Sequence, residues 1–111
     1  MSAPAAITPE EVAGVLRRVA RGEIPIALVE PAHTWTDIYA GDVAFTAGGW
    51  RIVIFNDCME LDYVDSATAP DGRHADFEDW HPPGATHFAC PLCHLTRAER
   101  EALERLVEAA A

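Results

Sequence analysis

The adjacent glycines Gly48-Gly49 divide two β-type runs, Asp42-Val43-Ala44-Phe45-Thr46 before them and Trp50-Arg51-Ile52-Val53-Ile54-Phe55 after them. Glycine takes positive φ without a Cβ clash, which is what a tight hairpin turn requires. The pair therefore commits the middle of the chain to an antiparallel hairpin, and so to a sheet that other elements must cover. The second run is apolar on both faces, with Trp50, Ile52 and Ile54 on one side and Val53 and Phe55 on the other, the pattern of a central strand. Met59, Leu61 and Tyr63 then alternate with Glu60 and Asp62, which reads as a half-exposed strand beside it. These segments predict a three-stranded antiparallel meander, with Ile26 to Val29 as a candidate fourth strand.

The cover is supplied by the two ends of the chain. Thr8-Pro9-Glu10-Glu11 places a capping Thr, a Pro at the first helical position and a Glu three residues after the cap, a reciprocal capping box. Val12, Val15, Leu16, Val19 and Ala20 follow at helical spacing, and Gly22 and Pro25 supply the stop near Arg21. Thr96-Arg97-Ala98-Glu99 is a second capping box, and Leu103, Leu106, Val107 and Ala110 form the apolar stripe of a helix that runs nearly to the end. The outward Glu101 and Arg105 stand at i, i+4, an exposed pair worth only ~0.3–0.5 kcal/mol. The expected architecture is α+β, in the order α-β-β-β-α, with Val15, Leu16, Ile52, Ile54, Leu61, Leu103 and Leu106 in the core. At 111 residues the whole chain is expected to be one domain, residues 1–111.

From Ser66 to Pro91 the periodicity lapses. Pro70-Asp71-Gly72 is a turn, His81-Pro82-Pro83-Gly84 is incompatible with regular structure, and the segment reads as a long loop that packs onto the core through Phe77, Trp80 and Phe88.

Charge and apolar run lengths narrow the function classes. No stretch approaches the roughly 20 continuous apolar residues of a membrane-spanning helix. Met1-Ser2-Ala3-Pro4 lacks a basic cluster followed by an apolar core, so no secretory signal is expected and the expected address is the cytoplasm. Three cysteines do not close a disulfide framework, which agrees with a reducing compartment. The formal charge is −10, and every basic residue apart from histidine is Arg. A chain so negative is repelled by phosphate, which argues against nucleic-acid binding. Eight of the carboxylates, Asp57, Glu60, Asp62, Asp65, Asp71, Asp76, Glu78 and Asp79, lie in one segment opposed only by Arg73. They form either a solvated edge that keeps the protein soluble or a docking surface for a basic protein partner.

The run Gly49-Trp50-Arg51-Ile52-Val53-Ile54-Phe55-Asn56-Asp57-Cys58-Met59-Glu60-Leu61-Asp62-Tyr63-Val64-Asp65, with Asp37-Ile38-Tyr39-Ala40-Gly41 before it and Pro70-Asp71-Gly72-Arg73 after it, resembles a family of small uncharacterised proteobacterial proteins, many from pseudomonads. The resemblance covers most of the chain between the helices. It implies a fold and a source but no activity, and it does not include the cysteine pair near the second helix.

That pair, in His87-x2-Cys90-x2-Cys93-His94, is the candidate metal centre. Thiolate and imidazole are the usual ligands of structural zinc, and a two-residue gap lets both sulfurs reach one ion. Cys90, Cys93, His87 and Cys58 form the candidate zinc set, with His94 as the alternative fourth ligand. Such a clip would offset the entropy of ordering the long loop. The same letters match a c-type haem attachment pattern, which needs export, and a redox dithiol, for which Cys93 lies just ahead of a helix N-terminus. His74-Ala75-Asp76 with Cys90-x2-Cys93 departs from the zinc-deaminase pattern, because Asp76 replaces the acid–base Glu and Ala89 replaces the Pro. Ser2 and Ser66 sit in no nucleophile elbow, and the carboxylates Asp57, Glu60, Asp62 and Asp65 come without a calcium-loop or phosphate-loop pattern.

With no catalytic set, the expected function is a non-catalytic protein-binding module: a regulator, an inhibitor or an immunity-type protein. The alternative is a small zinc- or thiol-dependent enzyme or sensor centred on Cys90 and Cys93.

Overall fold

The structure is a computed structural model that describes residues 7–30, 34–37, 40–58, 60–80 and 91–110. Helix α1 spans Pro9–Ala20 and helix α3 spans Arg97–Ala109, with the short helix α2, Phe77–Trp80, between them. The strands are β1 (Ile26–Leu28), β2 (Ala40–Ala47), β3 (Trp50–Asp57), β4 (Glu60–Thr68) and β5 (His74–Asp76). They form one antiparallel meander in the order β1-β2-β3-β4-β5. The fold is α+β with helices towards both ends, as expected, but the sheet has five strands, not three or four. The fourth-strand candidate is β1, and the fifth strand lies inside the segment read as loop.

Two features hid the extra pairing. Strand β5 is three residues long, too short to show an alternation of its own. It is paired because Pro70-Asp71-Gly72 closes a hairpin: the Gly72 amide donates to the Ala69 carbonyl and the Ala69 amide to the Arg73 carbonyl. Strand β4 continues to Thr68, well past Tyr63, and carries two bulges that break its alternation. The register with β3 runs Val53↔Ser66, Ile54↔Val64, Phe55↔Tyr63 and Asn56↔Leu61, so Asp65 and Asp62 are the extra residues. Each extra residue reverses the phase of the alternation. Leu61, Val64 and Ala67 thereby all reach the core although they are not spaced two apart.

The Gly48-Gly49 turn forms as the residue types demand, with φ of 55° and 82°. A Cβ at Gly49 would stand 3.1 Å from Pro70, so this hairpin packs against the β4–β5 turn. One sheet face carries Leu28, Val43, Phe45, Ala47, Ile52, Ile54, Leu61, Val64, Ala67 and Ala75, all buried in one cluster with Val12, Leu16 and Val19 of α1 and Leu103 and Val107 of α3. Of the expected core, Leu16, Ile52, Ile54, Leu61 and Leu103 are buried. Val15 and Leu106 are only partly buried at its margin, because each stands at the side of its helical stripe.

Polar contacts fix the helices. The α3 capping box is complete: the Glu99 amide donates to Thr96 Oγ1 at 3.1 Å, and the Thr96 amide to Glu99 Oε1 at 2.8 Å. The other oxygen of Glu99 accepts from Arg17 Nε at 2.8 Å, tying α3 to α1. At α1 the Glu11 amide donates to Thr8 Oγ1, but the Glu11 carboxylate does not close the expected reciprocal box. It accepts instead from both Arg73 terminal nitrogens, at 2.7 and 3.2 Å. On the outer side of α3, Glu101 pairs with Arg97 at 3.2 Å.

Buried polar groups are satisfied with similar economy. Asn56 is fully buried on the core face, and its Nδ2 donates to the Trp35 carbonyl at 2.9 Å. That bond holds the short 3-10 turn Trp35–Asp37, whose buried indole lies 6.1 Å from the Phe45 ring. Trp80 Nε1 donates to the Ile7 carbonyl at 3.1 Å, so α2 anchors the chain leading into α1.

Candidate functional site

The sheet face opposite the helices keeps its side chains half-buried or exposed. Along β3 these are Arg51, Val53, Phe55 and Asp57, and their partners include Thr46, Ala44 and Asp42 on β2 and Thr68, Ser66 and Tyr63 on β4. An aromatic row crosses this open face. Phe55 and Tyr63 are directly paired and their rings stack with centroids 5.1 Å apart and planes 8° from parallel. The Phe77 ring, from the start of α2, lies 4.6 Å from Tyr63 at 50°. The alternation of Met59, Leu61 and Tyr63 had placed Tyr63 beside Leu61. The bulge at Asp62 sends it to the opposite face instead, where it meets Phe55.

Carboxylates border the row. Asp42 pairs with Phe55 in the ladder. Its carboxyl is pushed above the ordinary range by partial burial, then by the charge of Asp65 and a hydrogen bond to that side chain. Partial burial likewise raises the Tyr63 hydroxyl, helped by the charges of Asp65, Asp42 and Asp62. Tyr63, Phe77, Asp65, Asp76 and Glu78 line a shallow depression of about 350 Å³. Aromatic surface bordered by negative charge suits a partner group that is flat or apolar in the body and cationic at the tip.

The carboxylates of the acidic segment are distributed over several places in the fold. Asp62, Asp65, Asp76 and Glu78 lie around the aromatic row. Asp57 is exposed at the end of β3, and Glu60, directly opposite it, lines a groove with Arg97, Arg100 and Glu101 of α3. Asp71 accepts from the Arg73 amide and side chain, which holds its carboxyl below the ordinary range. Asp79 accepts from the Asp76 amide at 2.8 Å and so fastens the start of α2. Asp42 lies outside the segment altogether, and only strand pairing brings it to the site.

A second constellation stands at the β4–β5 edge. Thr68 Oγ1 lies 2.7 Å from His74 Nδ1, and His74 Nε2 lies 2.8 Å from Asp76 Oδ1. Hydroxyl, imidazole and carboxylate in line have the order of a nucleophilic triad, but the His74 and Asp76 side chains are 49% and 64% exposed. A triad depends on a dry pocket with aligned oxyanion donors. Here Thr68 and His74 are a directly opposed strand pair, and their bond secures β5.

Over the same chain, the model of a protein family, domain of unknown function DUF7693, matches residues 6–109. The chain belongs to that family. The family description assigns no activity. No curated protein matches the chain, and no solved structure does.

Of the candidate zinc ligands, His87 and Cys90 lie outside the described residues. Cys58 is exposed just past the end of β3, at a φ of 52°. Cys93 is exposed in the 3-10 turn Pro91–His94 that precedes α3. Among the described residues no group of three or more His, Cys, Asp or Glu side chains converges as a metal site. The described helices include none long and apolar enough to cross a membrane.

Proposed function

We propose that the chain is a non-catalytic binding module that docks a basic protein partner on the open face of its sheet, as a regulator, inhibitor or immunity-type protein does. The observation that carries this reading is the Phe55–Tyr63–Phe77 row left partly exposed among Asp42, Asp62 and Asp65. Half-exposed aromatics supply contact area at low entropic cost, and the surrounding charge steers a cationic partner and speeds its encounter. The charge of −10 favours such a partner over nucleic acid. A cytoplasmic address is supported by the free thiols of Cys58 and Cys93, and a proteobacterial source by the resemblance of the Gly49 to Asp65 run.

The test compares proteins captured from the source cell by the native chain with those captured by the double variant Asp42→Lys, Asp65→Lys. Basic proteins retained by the first and lost by the second are expected. An identical set from both baits would return the carboxylates to the role of a solvated edge.

A second reading, a zinc- or thiol-dependent sensor or enzyme centred on Cys90 and Cys93, is supported by the solvent access of Cys93 just ahead of α3. Near-stoichiometric zinc in protein purified without added metal, together with a melting temperature lowered by chelator, would favour it over the first.

A further inference from the structure

Strand register places Asp42, Phe55 and Tyr63 in one row across three adjacent strands. The bulge at Asp65 brings a second carboxyl to the same face, within hydrogen-bonding reach of Asp42. The neighbouring charges that act on Asp42 and Tyr63 are carboxylates. Arg51, on the same face, is paired with Thr46 and Thr68 on the far side of Val53. Two carboxyls held in contact repel each other when ionised, and a cation placed between them removes that cost.

The aromatic rings decide which cation. An ammonium is a compact, strongly hydrated point charge. A guanidinium is planar and more weakly hydrated, stacks on ring faces and offers a fork of N–H donors that can reach two carboxylates at once. We propose that the open face takes an arginine side chain of the partner, its guanidinium packing on the Phe55 ring on the side away from Tyr63, where Asp42 stands, and bridging Asp42 and Asp65. This rests on the reading of that face as a docking surface and names the chemistry it selects.

The test is an NMR titration of the 15N-labelled full chain with three otherwise uncharged peptides that differ only in a central Arg, Lys or citrulline. The Arg peptide should shift the amides of Val53, Phe55, Tyr63 and Ser66 saturably and bind about tenfold tighter than the Lys peptide. The citrulline peptide, which keeps the shape and loses the charge, should not bind. Asp65→Asn and Phe55→Leu should each weaken Arg-peptide binding about tenfold, while Glu108→Gln, an exposed carboxylate of α3, should leave it unchanged. Equal binding of Arg and Lys peptides, or undiminished binding of citrulline, would overturn the arginine assignment and leave the docking reading standing. Absence of shifts on this face with any peptide would overturn both.

Discussion

Asp42 binds its proton more tightly in the folded chain than an ordinary carboxyl does, through partial burial and the proximity of Asp65. A raised folded value means that this group's contribution to stability is fully present below the ordinary range, near 3.8, and is lost as pH rises through the raised value. Asn keeps the shape and cannot ionise. Asp42→Asn should therefore stabilise the protein at about pH 7, and the gain should shrink towards zero by about pH 3. Urea midpoints of both proteins across that range measure it, and a gain independent of pH would show that Asp42 is not destabilised by its charge. Glu99 has the opposite sign. The Thr96 amide and Arg17 hold its carboxyl below the ordinary range, so its contribution is present above about 4.5 and is lost on acidification. Neither behaviour is written in the residue type: Asp42 and Glu99 differ because of what the fold sets beside them.

Among the elements, the β4–β5 hairpin depends most on a distant partner. Its strand β5 has three residues and one buried side chain, Ala75, too little apolar surface to hold it by burial alone. Arg73 compensates by joining Asp71 within its own turn to Glu11 on α1. Arg73 and Glu11 side chains are 21% and 35% exposed, so the pair is partly screened, and Arg73→Met should lower stability only modestly. The loss should concentrate locally. Amide hydrogen exchange is expected to accelerate across β5 and the facing end of β4 while β2 and β3 keep their protection. Uniform acceleration through all five strands would instead make the hairpin part of the cooperative core. The α3 helix needs no such help, since its capping box is complete within four residues of sequence.

On the scale of the whole molecule, 18 carboxylates against 8 guanidinium groups leave a net self-repulsion that compaction increases. Salt screens it over a Debye length of about 8 Å at physiological ionic strength, much less than the 41 Å long axis of the molecule. Raising sodium chloride from about 0.01 M to about 0.15 M should therefore raise the melting temperature, because screened repulsion outweighs the exposed pairs that screening weakens. A fall in melting temperature would mean that the Arg17–Glu99 and Arg73–Glu11 contacts dominate the electrostatics.

The sequence by itself determined what rests on contacts between near neighbours: both long helices with their Thr caps, the Gly48-Gly49 hairpin, the Pro70-Asp71-Gly72 turn, and the negative charge. These are legible because a cap or a turn is completed within three or four residues, so residue type and spacing carry the whole physical cause. Tertiary structure alone decided the fifth strand, the burial of Asn56 under the Trp35 carbonyl, and the face on which Tyr63 lies. Strand phase across a bulge is set by the partner strand, and a pattern read along β4 alone assigns Tyr63 to the core face of Leu61. The candidate site inherits that division. Its acidic surroundings were visible as a run of carboxylates, while the aromatic row and the Asp42–Asp65 pair exist only because β2, β3 and β4 come together in one register.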